Sequence, residues 1–130
     1  MKKFKMFLEE VQNMNSDKEV KLKDYQDKLA YYNNNKNKFL SILTTKKQET
    51  WELEASKIIQ GNKYLGDKWK IDKMDFTIKK DEERVKSNEM TPEEEKKILT
   101  DVANHKKELN KLRQESAREI QNDLKDIQNL

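Results

Sequence analysis

The chain has 130 residues, 41% of them charged and only 33% hydrophobic, with 28 basic residues against 25 acidic ones for a net charge of +3. So little apolar material excludes a thick globular core and points to a thin helical assembly forming one domain over 1–130. The lack of cysteine excludes disulfides and thiol chemistry, and no apolar run approaches the roughly 20 residues that span a bilayer.

The opening Met1-Lys2-Lys3-Phe4-Lys5 is basic, but Glu9 and Glu10 interrupt any signal-peptide core, so a cytoplasmic or virion location is expected. Over 2–14, Phe4, Phe7, Leu8, Val11 and Met14 share one helical face. Such a short amphipathic helix either folds back on the body or docks in a groove on a partner. Phe4, Phe7, Leu8 and Val11 are therefore candidate partner contacts. Asn15 closes the segment, and Ser16 with Glu19 forms a capping box for a second helix.

That second helix is expected over 17–60, with Leu22, Tyr25, Leu29, Tyr32, Phe39, Leu43, Trp51, Ala55 and Ile58 as its apolar stripe. The run 33–38, Asn-Asn-Asn-Lys-Asn-Lys, has no apolar residue. Asparagine is a weak helix former, so the helix either carries a polar gap there or breaks. Continuity is the favoured reading, because steps of three and four from Tyr32 through Lys36 reach Phe39. Gly61 and Gly66 are the only glycines, and together they mark a chain reversal, with Gly61 suited to a left-handed cap.

A middle helix is expected over 67–89, capped by Asp67, with Ile71, Met74, Ile78 and Val85 on one face. A small β-hairpin competes for 69–78, because Trp69 and Ile71 alternate, as do Met74, Phe76 and Ile78. The helix-forming run Lys79 to Arg84 and the marginal stability of a lone hairpin favour helix. The last helix, 92–129, is the best marked: Thr91 as N-cap, Pro92 at the first position, and Glu94 three residues after the cap. Its inward stripe reads Ile98, Val102, His105, Leu109, Leu112, Ser116, Ile120, Leu124 and Ile127. Three consecutive steps of four near Ser116 relax the heptad and predict a fairly straight helix.

No pattern of catalytic, cofactor-binding or metal-ligating residues stands out. Carboxylate pairs such as Glu52 and Glu54 fall on faces expected to be solvated, where nothing tunes them for acid–base work. His105 is the only histidine; without further ligands it reads as a stripe residue, or as a pH-sensitive contact at an interface. Tyr64, Trp69 and Phe76 are interleaved with Lys63, Lys68, Lys70, Lys73, Lys79 and Lys80. The lysines are candidate nucleic-acid contacts and the aromatics candidate protein contacts, against a simpler reading in which the aromatics close one end of the bundle.

Small type VII secretion substrates are helical hairpins with Trp-X-Gly at the turn; here Trp51 precedes Glu52 and Leu53, so this chain is similar to them in architecture alone. In composition it also resembles phage scaffolding and virion-internal proteins. The expected fold is all-α: an elongated antiparallel hairpin or three-helix bundle with coiled-coil-like packing and a short N-terminal amphipathic helix. The expected role is non-enzymatic, needs no cofactor or metal, and works through helix contacts with a protein partner or with itself. A phage virion or scaffolding component comes first, an accessory or inhibitor docked on one larger protein second, and a nucleic-acid binder third.

Overall fold

The computed structural model describes the backbone of residues 2–87 and 89–130, and the side chains of 17–87 and 89–130. It is all-α, with no strand among the described residues. Helix α1 spans Lys2–Asn35, α2 Phe39–Thr45, a single 3-10 turn Gln48–Thr50, α3 Trp51–Ile59, α4 Lys63–Lys86 and α5 Pro92–Gln128.

Helix α1 passes through Asn15 and Ser16 without interruption, so the separate helices expected over 2–14 and from 17 are one. A capping box is a local signal. An apolar pattern that stays in phase across it, from Met14 to Leu22 and Tyr25, favours continuing the helix at the small cost of an interior serine.

The continuous helix expected over 17–60 is corrected in turn. It stops at Asn35, whose buried side chain donates from Nδ2 to the Tyr31 carbonyl at 2.7 Å. The chain turns through 36–38, and a second break follows at Lys46 and Lys47, both extended. The asparagines make the first break cheap, and burial makes it favourable. Turning there places Phe39 (0% exposed), Ile42 and Leu43 against Trp51, Ala55, Leu65 and Trp69 in one apolar cluster. The Trp51 indole Nε1 donates to the Lys46 carbonyl at 3.0 Å and closes the second break.

The reversal after α3 uses two left-handed residues in succession, Gln60 (φ 47°) and Gly61 (φ 74°). Glycine takes this conformation at no steric cost. Asn62 then caps α4, its Oδ1 accepting from the amides of Tyr64 and Leu65 at 3.1 and 3.2 Å. Helix α4 thus begins at Lys63, not 67, and Gly66 lies within its first turns rather than in the turn itself.

The alternation over 69–78 is not a hairpin. Residues two apart on a helix point about 200° apart, and α4 is apolar on two opposite faces. Trp69 and Phe76 face the α2/α3 cluster, while Ile71, Met74 and Ile78 pack with Ile98, Val102, Leu109 and Leu112 of α5. Helices α4 and α5 run antiparallel, as the pairs Lys63–Asp123 (2.6 Å), Asp75–Arg113 (3.7 Å) and Glu82–Lys106 (2.8 Å) show.

Helix α5 starts where its cap places it, with Thr91 Oγ1 accepting from the Glu94 amide at 3.2 Å. All nine residues of its expected stripe are buried or half-buried. Helix α4 covers the first part of that stripe. Helix α1 lies antiparallel beside the last part, with the Tyr25 hydroxyl donating to the Ile120 carbonyl (3.2 Å) and Lys18 to that of Gln128 (3.1 Å).

The break at 36–38 makes a testable distinction between neighbours. Phe39→Ala should cost about 3–5 kcal/mol in urea unfolding, whereas Leu40→Ala, at a position 61% exposed, should stay within about 0.5 kcal/mol. Equal effects at the two positions would contradict this packing.

Candidate functional site

Two places bring chemically distinct side chains together. The larger is a groove of about 700 Å³ between the 3-10 turn, the start of α3 and the α4/α5 hairpin. It is lined by Gln48, Trp51, Glu52, Lys70, Lys73, Met74, Thr77, His105, Glu108 and Leu112. Trp51 sets one wall: its indole bond to Lys46 and its edge-on contact with Phe76 (centroids 5.8 Å apart, 80° between planes) hold it in one orientation.

Glu52 stands one residue further into α3. It accepts from Lys73 Nζ at 2.6 Å and from Trp69 Nε1 at 3.1 Å. The Lys73 bond, helped by the indole, holds its carboxyl below the usual carboxylate range. Lys73 Nζ also lies 5.6 Å from the centre of the Trp69 ring. The α5 wall is His105, Glu108 and Leu112. His105 Nδ1 is buried without a hydrogen-bond partner. The helix periodicity that puts His105 on the stripe also turns it toward the groove beside α4.

The second place is where α1, α4 and α5 meet. Tyr64, 2% exposed, receives Tyr25 and Tyr32 edge-on, with centroids 6.3 and 6.2 Å away. Its hydroxyl donates to Asp123 Oδ2 at 2.7 Å, and Lys63 Nζ reaches the same oxygen at 2.6 Å. Burial pushes Asp123 up, but the bonds from Lys63 and Tyr64 outweigh it and hold the carboxyl below its ordinary value. The bond to Asp123 raises Lys63 in turn, and burial followed by the Asp123 bond raises the Tyr64 phenol. Asn62 Nδ2 ties the junction to α1 through the Lys28 carbonyl at 2.9 Å.

The structure distributes the sequence-derived candidates unevenly. The side chains of Phe4, Phe7, Leu8 and Val11 lie outside the described residues. Tyr64 and Trp69 are inside the core, and Phe76 is half-buried against Trp51, so these aromatics hold helices together. The six lysines spread over several flanks of α4 rather than forming one stripe. Lys63 pairs with Asp123, Lys68 with Asp72 (2.8 Å), Lys73 with Glu52 and Lys79 with Asp75 (3.0 Å). Lys80 sits over the Phe76 ring (4.9 Å), and Lys70 lines the groove. Four lysines neutralised by carboxylates make a poor phosphate track.

Sequence reasoning missed Glu52 and Met74 as groove residues and treated Trp51 as one more stripe position. Only the break at Lys46 and Lys47 swings α3 across α4 to form the groove, and no local pattern announces that. Among the described residues no cluster of three or more metal-ligating side chains occurs, and no helix is long and apolar enough to cross a membrane.

Tyr64→Phe keeps the buried ring and removes only the bond to a charged acceptor, so it should lower unfolding stability by about 1.5–3 kcal/mol. Lys63→Met, at the exposed rim, should cost less than about 1 kcal/mol. Urea denaturation checks the order, and a larger loss at Lys63 would contradict it. Comparison of the chain with protein-family models, curated proteins and solved structures finds no match.

Proposed function

We propose that this chain is a non-enzymatic assembly or adaptor protein that binds another protein through the groove between α3, α4 and α5. The observation that carries the reading is the incomplete cover of the α4/α5 hairpin: Met74, His105 and Leu112 are half-buried in the groove. Its lining combines apolar side chains, Trp51, Met74 and Leu112, with charged ones of both signs, Glu52 and Glu108 against Lys70 and Lys73. Apolar side chains set among charges of both signs suit a protein-binding surface, and an amphipathic helix is an occupant that suits a groove between helices.

Within this reading, a virion or scaffolding-type component fits the highly charged, cysteine-free composition. An accessory or inhibitor docked on a single larger protein would use the same groove. Gene order separates the two, with capsid and portal genes as neighbours in one case and toxin or secretion genes in the other. No observation favours the nucleic-acid reading over these.

The test is binding measured with the fold held constant. The purified chain should form a defined oligomer or a stable complex with one protein. Met74→Glu with Leu112→Glu should weaken that association at least tenfold, about 1.4 kcal/mol, while helicity by circular dichroism is retained. A monodisperse monomer that retains no protein, or association unaffected by the double substitution, would refute the proposal.

A further inference from the structure

The groove between α3, α4 and α5 lies open, while α1 continues beyond the body of the molecule. Helix α1 is one helix from Lys2. Its Tyr25 hydroxyl donates to the Ile120 carbonyl and its Lys18 to that of Gln128, so each step back along α1 is a step toward the end of α5. Residues 2–17 therefore run on past that end, as an arm of about 24 Å at 1.5 Å per residue. The sequence sets Phe4, Phe7, Leu8 and Val11 on one face of this arm. Their positions i, i+3, i+4 and i+7 are those with which a helix anchors itself in a groove. Lys3 and Lys5 flank the start of the face and Glu10 its end.

The arm and the groove of one chain cannot meet. Leu112 and His105 stand 16 and 23 residues before Gln128, which places the groove about 24–35 Å back along α5. The arm leads the other way. The groove also has a direction. The pairs Asp75–Arg113 and Glu82–Lys106 fix the register of the α4/α5 hairpin. In that register Lys70 lies about 13 Å nearer the end of α5 than Glu108, and both are exposed. On the arm, Lys3 precedes Glu10 by about 10 Å. The charges match when the arm runs parallel to the α5 that receives it, with its lysines beside Glu108 and Glu10 beside Lys70.

Building on the groove as a protein-binding site, we propose that its occupant is the arm, residues 2–16, of a second copy of this chain, exchanged reciprocally in a two-fold dimer. The anchors of each arm cover Trp51, Met74 and Leu112 of the other copy. The direction set by the charges lets the symmetry close. An arm is antiparallel to its own α5 and parallel to the α5 it docks on, so the two copies are antiparallel to each other. A two-fold axis across the helices requires that arrangement. Each copy then gives one arm and receives one, and the assembly stops at two.

The experiment is sedimentation equilibrium of the natural chain and of two variants, with helicity checked by circular dichroism. The natural chain should be a dimer. Phe7→Glu with Val11→Glu in the arm, and Met74→Glu with Leu112→Glu in the groove, should each raise the dimer dissociation constant about tenfold or more. The two variants mixed should associate more tightly than either does with itself, because the intact groove of the first receives the intact arm of the second. A groove variant that dimerises like the natural chain would overturn the exchange, as would a mixture that gains nothing or a natural chain that grows into open filaments. A chain that is monomeric alone but binds another protein through Met74 and Leu112 would overturn the arm as occupant and leave the groove as a protein site. Self-association undiminished by the Met74 and Leu112 substitutions would overturn both.

Discussion

Trp69 and Ile71 are two residues apart on α4, and both are almost wholly buried, Trp69 at 3% and Ile71 at 6% exposure. On a helix this demands cover on two opposite sides. A chain with only a third of its residues apolar has little to spare for the task. The rest of the molecule answers that demand. Helices α2 and α3 fold into a small cap over the Trp69 face, and α5 runs antiparallel along the Ile71 face. The breaks at 36–38 and 46–47 follow from it, because a straight helix from 17 to 60 would carry Phe39 and Trp51 away from α4. Each break gives up a few backbone hydrogen bonds to water, while burial of large aromatic and branched side chains returns far more.

The same thinness governs the charges. With a core one or two side chains deep, polar groups meet at helix junctions and cannot avoid one another. Most of the lysines of α4 find carboxylates within the chain, which removes the basic stripe that their spacing in the sequence implies. The groove exists because the α3 cap covers only one flank of the hairpin.

Several features of this protein were legible in its residues alone. Helix α5 was readable from cap to end, because Thr91, Pro92 and Glu94 act through the local backbone and a stripe of nine positions repeats one period without conflict. The all-α class and the reversal near Gly61 were readable for the same reason: composition and left-handed caps are local facts. The two-sided burial of α4 was present in the alternation of Trp69, Ile71, Met74, Phe76 and Ile78, but that pattern has two meanings. A period of two is a strand with one covered face or a helix with two, and only the neighbours decide. Tertiary structure also decided that Ser16 does not start a helix, that the chain turns after the asparagine run, and that Glu52, Met74 and Leu112 share a groove while Lys63 and Tyr64 meet Asp123. These outcomes depend on contacts between residues tens of positions apart, and the free energy of such contacts is written in no single stretch of the chain.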